Sequence, residues 1–119
     1  MSGSRRAAER RGQKAEWAAA LLLACKGYRI LAHRYRSNVG EVDLIARRGA
    51  RIAFVEVKTR ATRDEAAEAL SLRQQRRIIR AAEYWMARHA PSGDWEISFD
   101  VVLVAPWSWP RHLPNAFGI

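Results

Sequence analysis

The chain has 119 residues and a formal net charge of +9, from 21 Lys and Arg against 12 Asp and Glu. That length allows one domain with one modest core. A positive charge carried mostly by arginine fits a nucleic-acid partner rather than an anionic membrane surface or a basic but indifferent protein, and a single cysteine, Cys25, excludes an internal disulfide and points to the cytoplasm.

The first segment, residues 1–14, is basic, with Arg5, Arg6, Arg10, Arg11 and Lys14 against Glu9. The apolar run from Trp17 to Cys25 follows. Together they imitate a secretory or lipoprotein signal. However, the run is short, Glu16 abuts it, and its removal deletes the only helix ahead of the strands. No other stretch approaches the length of a membrane span, so no membrane partner is expected. Residues 4–26 read as a helix stopped by Gly27, with an apolar stripe of Trp17, Leu21, Ala24 and Cys25. Glu16 sits one turn from Ala19, Ala20 and Leu23, at the edge of the buried face. On residues alone it is a helix-surface glutamate.

Residues 28–36 read as a strand, in which Ile30, Ala32 and Arg34 alternate with Leu31, His33 and Tyr35. Ser37-Asn38-Val39-Gly40 is a turn. Residues 40–47 and 51–59 read as two antiparallel strands around a basic turn. Val42, Leu44 and Ala46 share one face of the first, and Glu41 and Asp43 point the other way. On the second, Val55 and Val57 oppose Phe54, Glu56 and Lys58. A loop of Arg48-Gly49-Ala50-Arg51 pairs Arg47 with Ile52 and sets Asp43 against Glu56. A shorter loop, Arg48-Gly49, leaves the two carboxylates diagonal on the same face. Like charges held across a strand pair cost stability. A cation between them removes that cost, and two carboxylates beside an ammonium suit a hard divalent ion such as Mg²⁺. The plain alternative is a solvated face, although Ile45 and Phe54 share it.

Asp43 followed by Glu56-Val57-Lys58 resembles the D…(E)xK signature of the PD-(D/E)XK nuclease superfamily. The longer string GEVDLIA…FVEVKTR resembles the YraN-like bacterial family, over roughly residues 12–104. The resemblance implies an α/β fold with an αβββαβ restriction-endonuclease-like core, its mixed central sheet flanked by helices, in the Holliday-junction-resolvase-like version. It implies a site in which Asp43, Glu56 and the Val57 carbonyl hold Mg²⁺ or Mn²⁺, and Lys58 orients the attacking water. A first-helix glutamate reaches such sites, and Gly12…Glu16 matches the family's pattern. The resemblance therefore gives Glu16 a metal-site role. Where the family tends to have Phe-Gly after the lysine, this chain has Asp64-Glu65-Ala66-Ala67.

Residues 71–90 read as the second major helix, ended by Pro91-Ser92-Gly93. Its inner stripe is Leu72, Ile78, Ile79, Ala82, Trp85, Met86 and His89. Arg73, Arg76, Arg77 and Arg80 form an outer cationic stripe with no acid among them, suited to a phosphate backbone. Gln74 stands where the family usually has lysine. Two roles stay open for it: a capping box with Ser71, and support of the catalytic site. Residues 96–104 are a strand, with Ile97, Phe99, Val101 and Leu103 on one face and Ser98, Asp100 and Val102 on the other. Asp100 is read as structural, as are the scattered His33, His89 and His112, which form no zinc pattern. Residues 105–119 hold three prolines, Trp107, Trp109 and Phe117, and no regular element.

The expectation is therefore one nuclease-like domain over residues 1–104 with a tail over 105–119. Asp43, Glu56, Lys58, Glu16 and Gln74 carry the chemistry, and Arg34, Arg36, Arg60, Arg73, Arg76, Arg77 and Arg80 bind nucleic acid, DNA ahead of RNA. Its substrates are expected among branched or processed DNA intermediates. Junction resolvases act as two-fold pairs, so the resemblance leaves a homodimer open, with no stretch of the sequence that specifies one. The competing readings are a catalytically silent nucleic-acid-binding module and an accessory subunit.

Overall fold

The structure, a computed structural model, describes residues 2–59, 70–106 and 108–118, with side chains from residue 12 onward. Among these residues the elements are helix α1 (Ser2–Cys25), strands β1 (Arg29–Arg36), β2 (Glu41–Arg48) and β3 (Arg51–Thr59), helix α2 (Leu72–His89), and strands β4 (Glu96–Val104) and β5 (Arg111–Phe117). The expected order is present, with one strand added. The sheet runs β1-β2-β3-β4-β5. β4 lies parallel to β3, and every other neighbouring pair is antiparallel. The parallel pair is joined through α2, as parallel neighbours require a long crossover. The result is a mixed α/β architecture.

Local chemistry explains the boundaries. Gly27 adopts φ 91°, and the Tyr28 and Gly27 amides donate to the Leu23 and Ala24 carbonyls, closing α1 with a Schellman motif. The β2–β3 turn is Gly49-Ala50, with Gly49 at φ 61°. Arg47 pairs with Ile52, which is the register of the longer loop considered from sequence. At the start of α2 the Ser71 hydroxyl accepts from the Gln74 amide, while the Gln74 side-chain oxygen accepts from the Ser71 amide, both at 3.1 Å.

Among the described residues the sheet carries one helix on each face. α1 covers Leu44, Ala46, Ala53, Val55 and Val102. α2 covers Ile45, Ile52, Phe54 and Phe99, and Phe54 lies edge-on to Trp85 with ring centres 6.0 Å apart. Each fully buried Leu, Ile or Phe here contributes about 1.5–3 kcal/mol.

The structure corrects the expected face of α1. Ala15, Glu16, Ala19, Ala20 and Leu23 are buried, whereas Trp17 and Leu21 are 66% and 64% exposed, and Ala24 and Cys25 are exposed. Small residues let the helix approach the sheet closely, a packing advantage that a ranking by side-chain size overlooks. On α2, Leu72 is exposed rather than inward, because it occupies the first turn, while Ile78, Ala81, Ala82 and Trp85 are buried. Along β2, Val42 packs on the α2 side with Ile45, not with Leu44 and Ala46.

The tail is also corrected. Residues expected to be irregular form β5, with Leu113 against Val101 and Phe117 against Phe99. Pro114 is tolerated because β5 is an edge strand. Asp100, fully buried, fastens this strand: its oxygens accept from His112 Nε2 at 2.6 Å, from the Asn115 amide at 3.1 Å and from the Ser98 hydroxyl. Burial alone raises its pKa, but these donors outweigh it and hold the carboxyl below its usual 3.8. The structural reading of Asp100 is thus what its contacts describe. His112 is half of a buried pair and also faces Lys26 Nζ at 2.5 Å.

Candidate functional site

Arg34 and Asp43 sit opposite one another in the β1–β2 register, between the pairs His33–Leu44 and Tyr35–Val42. At this rung the side-chain alternation of both strands breaks. Arg34 takes φ 50°, a left-handed conformation that costs a non-glycine residue about 1 kcal/mol or more. The break turns Arg34 and Asp43 toward α1. There they line a cavity of about 160 Å³ with Glu16, Arg36, Val57 and Thr59. Gly12 and Ala15 form its helical wall, where larger side chains would fill the space.

The β2–β3 ladder ends at Leu44–Val55. Beyond it, Asp43 Oδ2 accepts from the Val57 amide at 2.8 Å, replacing a backbone carbonyl in the ladder. This fixes the Asp43 carboxylate at the fork between the strands. Glu56 hydrogen-bonds to Asp43 there. Burial first, then that hydrogen bond and the Asp43 charge, pushes Glu56 up to about 9, with Glu41 adding to the rise and Lys58 opposing it. At neutral pH Glu56 therefore keeps its proton. Asp43 and Glu56 meet across the hairpin as the longer-loop register requires, with Lys58 close enough to act on Glu56, but Asp43 turns to the α1 side and leaves the face of Ile45 and Phe54 that it was expected to share.

Glu16 enters from α1, 7% exposed. Its Oε1 meets Arg34 Nε at 3.1 Å, while its buried Oε2 has no hydrogen-bond partner among the described residues. Its pKa is raised by burial and by Asp43, against the lowering effect of Arg34 and Arg36. Among the described residues, no three His, Cys, Asp or Glu side chains converge as a ready-made cage. The oxygens that could hold a cation there are those of the Asp43–Glu56 pair and the adjacent backbone. Gln74 is engaged in the α2 cap by both its amide and its side-chain oxygen. Its capping role is thus visible, and no described contact joins it to Asp43, Glu56 or Lys58.

The cations fall into two groups. Arg34 and Arg36 border the carboxylates, and Glu41 meets Arg36 at 3.4 Å and Arg77 at 4.0 Å. Arg73, Arg76, Arg77 and Arg80 are exposed along the first half of α2. Gly40 locks these groups together. It is buried against α2, where an added Cβ would run into the Arg77 carbonyl. Arg60 and the Asp64–Ala67 stretch lie outside the described residues. Sequence reasoning missed Glu41 as a ligand of two arginines, although the expected register placed it facing this end of β3. The strain at Arg34 had no sequence signal. Among the described residues, no helix is long and apolar enough to cross a membrane.

The family model described as "Uncharacterised protein family UPF0102" matches residues 15–104, from Glu16's neighbour to the end of β4. A UPF0102 protein of Mesorhizobium japonicum is 53% identical over 116 residues, covering 98% of this chain and 93% of that protein. A UPF0102 protein of Methylorubrum extorquens is 55% identical over 115 residues, covering 97% and 90%. One from Rhodopseudomonas palustris is 56% identical over 111 residues, covering 93% and 82%.

Proposed function

The chain belongs to the UPF0102 family, and from that premise we propose that it is a metal-dependent nuclease with a restriction-endonuclease-like core, hydrolysing phosphodiester bonds in DNA. The observation that carries this reading is the Asp43–Glu56 pair. Two carboxylates are held together at a strand fork, with Glu56 raised to about 9 beside Lys58. A cation in place of the Glu56 proton relieves the same repulsion. The unpartnered, buried Glu16 Oε2 facing this cavity fits a further ligand or a metal-bound water. Two carboxylates, a carbonyl and several waters suit Mg²⁺ or Mn²⁺, which keep much of their hydration.

In this reading Asp43, Glu56 and the Val57 carbonyl would hold the ion, and Glu16 would complete the site from the cavity wall. A bound ion would supply Lewis-acid stabilisation of charge on the phosphate and an acidified water. Lys58 directs the attacking water toward phosphorus and offsets the developing negative charge. Arg34 and Arg36 hold the phosphate next to the carboxylates. Arg73, Arg76, Arg77 and Arg80, with Arg60, track the flanking backbone. Gln74 supports the site indirectly, by fixing the start of α2. The cytoplasm is the compartment where such a substrate is met, and a homodimer would present two sites to a symmetric branch.

A second reading is a binding module or accessory subunit without catalysis. The engagement of Gln74 in a helix cap, where the family resemblance expects lysine, favours it. The deciding experiment is cleavage of labelled four-way junction, flap, single strand, duplex and RNA, with Mg²⁺, Mn²⁺ or chelator. Wild type is compared with Glu56→Ala and Lys58→Ala. Metal-dependent cutting lost in both variants supports the nuclease. Intact DNA binding without cutting in all three proteins refutes it in favour of the binding module.

A further inference from the structure

On the α2 face of the sheet, the side that Asp43 turns away from, lies a cleft of about 460 Å³ that reaches from Arg47 and Ile52 to Tyr35, within the roughly 300–1,000 Å³ range of small-ligand sites. Its walls include four rings, Tyr35, Trp85, His89 and Trp95, together with Leu31 and Arg47. The rings are held in place. Trp95 Nε1 donates to the Pro91 carbonyl at 2.8 Å, and the Arg47 guanidinium lies 4.5 Å from the Trp95 ring centre. Trp85 is fixed edge-on to Phe54 and tilts over His89, 5.5 Å between centres. An aromatic cleft with a guanidinium on its wall suits a flat, polarisable ring attached to an anion.

The surroundings identify which ring. Arg73, Arg77, Tyr84 and Arg88 recur at helical spacing along one flank of α2. Arg77 contacts Glu41 near the carboxylates, and Arg88 covers the Tyr84 ring at 3.6 Å. Tyr84 and Arg88 both act on the Tyr35 hydroxyl at the cleft. On this flank Arg77 thus marks the candidate-site end, and Arg88 lies at the cleft end next to His89 of the cleft wall. Arg47 lies four residues from Asp43 along β2, about 13 Å at strand rise.

We propose that this cleft binds an unpaired nucleobase of the same nucleic-acid strand whose backbone follows the α2 arginines, so that the favoured substrates carry single-stranded nucleotides. The inference rests on the nucleic-acid reading above. A base inside a duplex is stacked and cannot enter, whereas a splayed or single-stranded base can.

The test uses the full chain in chelator, with labelled oligodeoxythymidine and an abasic strand of equal length and charge. Wild type should bind the intact strand about tenfold more tightly, the scale of one lost stacking contact. Trp95→Ala should abolish that preference while leaving abasic-strand affinity unchanged, and Trp95→Phe should restore most of it. His89→Ala, at an exposed wall position, should reduce it severalfold and serves as the second variant. Equal affinity of wild type for both strands overturns the cleft but not the nucleic-acid reading. A preference that survives both alanine variants assigns stacking to Trp17 or Trp109, exposed outside the cleft, and also overturns it. Absence of binding to either strand overturns the underlying reading itself.

Discussion

Replacing Glu56 with glutamine should remove a pH-dependent destabilisation from the metal-free protein. Burial, then the hydrogen bond and charge of Asp43, raises Glu56 from 4.5 to about 9. The folded protein therefore keeps a proton that the unfolded chain releases. The associated stability is full below about pH 4.5 and is lost as pH rises toward 9. Each pKa unit is worth about 1.4 kcal/mol, and pH 7 lies roughly 2.5 units above the unfolded value. The loss by pH 7 thus reaches at most about 3 kcal/mol, reduced by solvent at the partly open edge. Glutamine has the same shape, stays neutral and can donate to Asp43. Urea unfolding of Glu56→Gln and wild type in chelator, at about pH 5, 7 and 8.5, reads the difference. The two stabilities should nearly coincide at the lowest pH, with the variant ahead by about 2–3 kcal/mol at the highest. Glu16 is raised in the same direction, but it is present in both proteins and cancels. Parallel pH curves for the two proteins would refute the retained Glu56 proton.

Metal binding must expel that proton, so thermal stabilisation by Mn²⁺ should grow from about pH 6.5 to 8.5 in wild type and vanish in Glu56→Gln; a pH-independent shift argues against Glu56 as a ligand. Gly40→Ala sets a Cβ against the Arg77 carbonyl and the Ala81 amide, and should cost about 1–3 kcal/mol in chemical denaturation, with no loss if α2 can slide away. His112→Ala leaves Oδ2 of the fully buried Asp100 without its His112 partner, the Ser98 hydroxyl and the Asn115 amide serving only Oδ1, and should cost about 3 kcal/mol and expose β5 amides to hydrogen exchange ahead of β3. The combined Arg73→Ala, Arg76→Ala and Arg80→Ala variant should keep its melting temperature, bind DNA more weakly at every sequence, and lose roughly one unit of salt slope per phosphate contact removed. An unchanged slope places the DNA on another face.

Sequence alone determined what depends on neighbours along the chain. Gly27 ends α1 because a left-handed residue is needed there, and Ser71 with Gln74 forms the expected capping box. Register and a short basic turn were enough to set Asp43 across from Glu56 near Lys58, since a hairpin converts sequence spacing directly into cross-strand distance, whereas period-two alternation misassigned the face of Asp43. The segment order of α1 to β4 was legible for the same reason. Tertiary structure decided what depends on a distant surface. The face of α1 was set by how closely alanines can approach the sheet, so Trp17 and Leu21 point outward. β5 exists because Val101, Phe99 and Asp100 give Leu113, Phe117 and His112 something to join, which no pattern within residues 105–119 encodes. The turn of Arg34 and Asp43 toward Glu16 needs three elements packed together. The proton held by Glu56 likewise comes from burial, a property of the assembled fold and not of the residues in a row.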